Sequence, residues 1–133
     1  MSYDPVVIGL PITDRRTSYD FYRRALDLEA IGEPDEDGIP EPLQFTVNPG
    51  TRIMLIPLGG FERAAGDRPA APPGHHECFL VISTATPADT DALIRRAVTA
   101  GAGLAIPPGH QPWGYIGAIT DPDQHLWMIR AST

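Results

Sequence analysis

The feature that most restricts how this chain can fold is an internal repeat. Tyr19-Asp20-Phe21-Tyr22-Arg23-Arg24-Ala25-Leu26 resembles Asp91-Ala92-Leu93-Ile94-Arg95-Arg96-Ala97-Val98, 72 positions downstream. Each segment follows an apolar, strand-like run, over residues 6–12 in the first half and 78–82 in the second. Another apolar run lies late in each half, over 52–56 and 125–129, and pairing Leu55 with Met128 gives an offset of 73. Two similar offsets far apart in the chain argue for duplication of one supersecondary unit.

Local signals fill in each copy. Thr86-Pro87-Ala88-Asp89 reads as an N-cap, a proline at the first helical position and an acid near the third. The helix it opens is predicted to run to about Ala100, with Gly101 as a left-handed stop. Leu93, Ala97 and Ala100, with Ile94 and Val98, form its apolar stripe. The first helix is predicted over 14–26, with Tyr19, Tyr22 and Leu26 on one face. Short strands are expected near 28–32, 43–47, 104–106 and 115–119. Glycine and proline are abundant, at 13 and 15 residues, and place loops at 33–42, 59–74 and 107–112. The proline-rich stretch 68–74 reads as a linker between a first module of about 4–66 and a second of about 75–131. Each module is then strand, helix, strand, strand, strand. The fold class is α+β: two βαβββ modules in tandem, with mixed, mostly antiparallel curved sheets around a cleft.

Composition narrows the partners. The formal net charge is −7, and no basic face is visible that would suit nucleic acid or an anionic membrane. No apolar run approaches the length of a spanning helix, and the N-terminal residues lack a signal-peptide pattern. The single Cys78 points to a reducing, cytoplasmic setting, and its apolar neighbours predict a buried core thiol. Arg23, Arg24, Arg95 and Arg96 read as solvated surface. Phosphate-loop, dinucleotide-fingerprint and nucleophile-elbow motifs do not occur.

The ordered set of motifs resembles the vicinal-oxygen-chelate superfamily (glyoxalase, bleomycin-resistance and extradiol-dioxygenase-like proteins). In the first half the resemblance rests on Leu10-Pro11-Ile12-Thr13-Asp14, Ser18, Phe21-Tyr22 and Ala25-Leu26-Asp27-Leu28. In the second it rests on Ala100-Gly101-Ala102, Pro107, Trp113-Gly114-Tyr115 and Asp121-Pro122-Asp123-Gln124-His125-Leu126-Trp127. That last run is similar to the family's Asp-Pro-Asp-Gly-His-Leu-Trp-Glu signature. Gln124 stands where the family has glycine, at a position that calls for positive φ and costs another residue roughly 1 kcal/mol. Met128 stands where metal-binding members have glutamate.

The resemblance implies four ligand positions on the concave face, one from each of four strands, holding a cation that polarises substrate. Carried over by spacing, they fall on Val7, Leu55, Glu77 or its neighbour, and Met128. Three of these side chains cannot ligate a hard cation, so no metal or other cofactor is expected. A relocated site would draw on His75, Glu77 and His110. Without a metal, the cleft floor becomes apolar, with Val7, Phe45, Leu55, Phe79, Trp113, Tyr115 and Met128 as candidate ligand contacts and Glu77 as a polar group. The leading expectation is a metal-independent binder of a small aromatic molecule, acting as a homodimer like the family's drug-sequestering members. The alternatives are a lyase, isomerase or oxygenase with a relocated metal or Glu77 as general base, and a purely structural or regulatory dimer.

Overall fold

The computed structural model describes all residues, Met1–Thr133. The chain divides into two compact units, one of Met1–Arg23 and Asp27–Ala70, the other of Arg24–Leu26 and Ala71–Thr133. The change of unit after Ala70 falls in the proline-rich stretch.

In the first unit, β1 (Val6–Ile12), β2 (Glu29–Ala30), β3 (Leu43–Asn48) and β4 (Thr51–Pro57) form one sheet in the order β1-β4-β3-β2. β1 runs parallel to β4, and the other neighbours are antiparallel. Helix α1 (Arg15–Ala25) joins β1 to β2. Asp14 caps it: one carboxylate oxygen accepts from the Thr17 backbone N–H and from the Thr17 hydroxyl, each at 2.8 Å. These bonds hold the Asp14 carboxyl below its ordinary pKa, with the backbone bond the larger cause. Side chains alternate across a sheet, and here Leu10, Ile12, Leu43, Phe45, Ile53 and Leu55 are all buried on one face. The rings of Tyr19 and Tyr22 from α1 meet Phe45 at 6.2 and 5.8 Å between centroids. That face therefore lies under α1. Arg15 anchors the loop before β3, pairing with Glu41 at 2.7 Å and Asp37 at 3.4 Å and donating to the Ile39 and Pro40 carbonyls.

The second unit repeats the plan. β5 (Leu80–Thr84), α3 (Pro87–Thr99), β6 (Gly103–Gln111), β7 (Gly114–Thr120) and β8 (Leu126–Ala131) give a sheet ordered β5-β8-β7-β6, again with a parallel pair, β5 and β8. Thr86 caps α3, its hydroxyl accepting from the Asp89 N–H at 3.2 Å, and Gly101 takes φ 110°. Trp127, Ile129 and Ile119 are buried. Gly117 permits α3 to lie close, because a Cβ there would overlap the Ile94 side chain. Thr84 and Thr90 share a hydroxyl contact at 2.6 Å across the same layer.

The structure corrects four expectations. Residues 58–64 form a short helix, α2 (Leu58–Ala64), which takes up the start of the predicted loop 59–74. Its Phe61 lies beside Gly9, whose missing side chain leaves that space open. The predicted loop 107–112 is largely strand, because β6 continues to Gln111. β6 lies at the sheet's edge, where proline is tolerated, and its register shifts twice near Pro107 and Pro108. The strand expected at 28–32 shrinks to Glu29–Ala30. Cys78 precedes β5 and is exposed, not a core thiol.

Candidate functional site

Each sheet has one face under the long helix of its unit and a far face, which in the first unit α2 partly covers at Gly9 and Ile56, and strand register decides which side chain takes which. In the first unit Gly9 pairs with Met54 and Leu10 with Leu55. Leu55 is 1% exposed, under α1. The far face carries Val7, Gly9, Met54 and Ile56. In the second unit Val81 pairs with Met128 and Ile82 with Ile129. Since β1 and β5 end 72 residues apart, Leu55 is equivalent to Ile129, and Met54 to Met128. The offset late in the repeat is therefore 74 instead of 73. A slip of one reverses the face, so Leu55 is a core residue and Met54 takes the place assigned to it. Phe45, fully buried with Tyr19 and Tyr22, is likewise core.

Val7 and Met128 do occupy far faces. Val7 is 44% exposed and Met128 half-buried. Phe79, two residues before Val81 and in phase with it, is 49% exposed, and Val81 is 46% exposed. Glu77 lies in the loop ahead of β5, exposed, with His75 and His76 beside it. Trp113 sits at the tip of the β6–β7 hairpin, 69% exposed. Tyr115 turns to the other face of its sheet. Its hydroxyl donates to Asp91 Oδ1 of α3 at 2.5 Å, and that bond, with the carboxylate charge, holds the phenol above its ordinary pKa of 10.0. The His110 ring meets Tyr115 edge-on at 5.0 Å.

The turn before β8 sets this arrangement in the second unit. Asp121, 4% exposed, accepts through Oδ1 from the N–H groups of Asp123 and His125 at 2.9 and 2.8 Å. Its own N–H donates to the His125 carbonyl. Gln124 adopts φ 67°, the left-handed conformation expected where the signature has glycine. The turn thereby delivers Trp127 to the core and Met128 to the far face.

The residues present do not fit the metal of the superfamily. The far-face positions hold Val7 and Met54 in one unit and Phe79 and Met128 in the other, and a hard cation needs oxygen or nitrogen donors. No three His, Cys, Asp or Glu side chains gather into a group able to hold a metal ion, so His75, Glu77 and His110 do not form a relocated site. Sequence reasoning missed Met54, for which the signal was the parallel register of β1 on β4.

The model of the Glyoxalase/Bleomycin resistance protein/Dioxygenase superfamily matches residues 4–129. A glyoxalase-related enzyme from Fulvimarina pelagi is similar in structure, with TM-score 0.82 and 25% identity over 96% of this chain and 86% of that one. Hypothetical protein SA1046 from S. aureus has TM-score 0.82 and 17% identity, covering 98% and 95%. TioX from Micromonospora sp. ML1 has TM-score 0.69 and 21% identity, covering 98% and 100%. No curated protein matches the sequence.

Proposed function

The chain belongs to the glyoxalase/bleomycin resistance protein/dioxygenase superfamily, and within it we propose a metal-independent binding protein that holds a small planar aromatic molecule against the far face of its second unit. The observation that carries this reading is that Phe79 and Met128, beside Val81, stand where the resemblance places metal donors, with Phe79 and Val81 substantially exposed. Apolar surface of this kind, with few polar groups, suits a flat hydrophobic ligand, and Phe79 offers a ring to stack on. The net charge of −7 favours a cationic ligand over an anionic one. A homodimer in a reducing cytoplasm, with the lone Cys78 as a free thiol, is part of the same proposal.

Proflavine, a planar cationic dye, tests it. Fluorescence titration of the full chain should saturate, and Met128→Lys should weaken binding at least tenfold by placing a cation at the contact. Unsaturable binding, or equal affinity for the variant, would reject the reading.

The description of the Fulvimarina protein as an enzyme favours a second reading, catalysis on the same surface. That reading asks for a desolvated base, and Glu77 is exposed. Stoichiometric divalent metal in the purified protein, found by elemental analysis, would move the balance to this alternative.

A further inference from the structure

The second unit has a groove on its helix side, away from Met128 and Val81. It lies between α3 and the β6–β7 pair and encloses about 530 Å³. Ile94, Val98, Leu104 and Pro108 supply apolar walls, with Val98 43% and Leu104 49% exposed. From Asp91 to Thr99 it follows α3 for roughly 12 Å at the helical rise.

Its charges are unequally engaged. Asp91 and Arg95 stand four apart on α3, the spacing at which an acid and a base ordinarily pair. Asp91 instead accepts the Tyr115 hydroxyl at 2.5 Å. Arg95, exposed on the same helix, also lines the groove and makes no ion pair. The groove thus presents a branched-aliphatic trough with an unpaired guanidinium at Arg95 and, one turn earlier on α3, the Asp91 carboxylate occupied by the Tyr115 hydroxyl. A guanidinium matches a carboxylate in geometry and charge.

We propose that this groove binds an aliphatic monocarboxylate, its alkyl chain along Ile94, Val98, Leu104 and Pro108 and its carboxylate on Arg95. The groove and the proposed far-face contact lie on opposite faces of the second unit's sheet, so the two ligands do not compete for one place.

The test is a titration of the isotope-labelled full chain with butanoate, hexanoate and octanoate, followed by backbone amide NMR shifts. Saturable shifts should concentrate on residues 91–99, 104–106, 109 and 115. Affinity should rise about fourfold per added methylene, the value of burying one such group. Arg95→Gln should weaken octanoate binding about threefold to fivefold, as expected of an exposed ion pair, and methyl octanoate should show the same deficit against the unaltered chain. Absence of saturable shifts, shifts centred on Val81 and Met128, or equal affinity for acid and ester would each overturn the proposal. Proflavine titrated with octanoate already present should bind as before. Loss of either ligand's binding is therefore scored independently of the other.

Discussion

The two units share one plan but fill the space between helix and sheet differently. In the first, aromatic rings occupy it: Tyr19 and Tyr22 of α1 close on Phe45 of β3. In the second, the repeat puts Asp91 opposite Tyr19, Ile94 opposite Tyr22 and, by strand register, Ile119 opposite Phe45. Gly117 stands where the first unit has Leu43. The helix there rests directly on glycine, and a groove opens beside it. Duplication kept the backbone arrangement while packing diverged, so one copy is packed with rings and the other carries a groove.

The largest expected effect breaks the ring-packed layer. Phe45→Ala should cost about 3–5 kcal/mol, since a buried ring leaves a cavity its neighbours cannot close. Urea unfolding measures it, and a loss below about 1 kcal/mol would mean the rings are not the packed layer described. Next, Gly117→Ala sharpens the contrast from the other side. Its Cβ would meet Ile94, the Ile106 carbonyl and Pro108, so a loss of about 1–3 kcal/mol is expected from overpacking. A thermal midpoint unchanged by the methyl group would refute the close approach of α3.

A smaller gain is expected from Gln124→Gly in the turn before β8. Relief of the left-handed conformation should stabilise by roughly 1 kcal/mol, less whatever the side chain contributes beside Gly74. Destabilisation in chemical denaturation would show that this side chain outweighs the strain. The last contrast concerns pH. Asp14 of the first unit has a depressed pKa, so its contribution is present above the ordinary value of 3.8 and fades as pH falls through the folded-state value. Tyr115 of the second has a raised pKa, so its contribution is complete below 10.0 and fades as pH rises through the folded-state value. Asp14→Asn should flatten the acid limb of a stability profile, and Tyr115→Phe the alkaline limb. An unaltered limb in either variant would contradict that assignment.

Much of the architecture was legible because repetition and capping are local signals. Thr86, Pro87 and Gly101 marked the second helix, and the Asp121 turn marked the last strand with its unusual Gln124. Strand phase was harder. Aligning Leu55 with Met128 was wrong by one position, and one position exchanges core for surface. Only the pairing of Leu10 with Leu55 and of Ile82 with Ile129 resolves it. Helix α2 was hidden by Gly59 and Gly60, whose propensity opposes a helix; its Phe61 side chain has the bare backbone of Gly9 beside it. For Tyr115, aromatic character suggested a cleft wall, whereas the decisive partner, Asp91, lies on another element 24 residues away.

The run Pro107-Pro108 on β6 has a consequence for how molecules of this protein meet one another. An edge strand offers its unused amide donors to any passing chain, and β6 carries two adjacent residues with no N–H while its register shifts twice. The second unit is thereby poorly suited to recruit a foreign strand along β6 or to seed a cross-β stack there. Replacing both prolines by valine would restore those donors and should raise the rate of fibril formation on prolonged incubation.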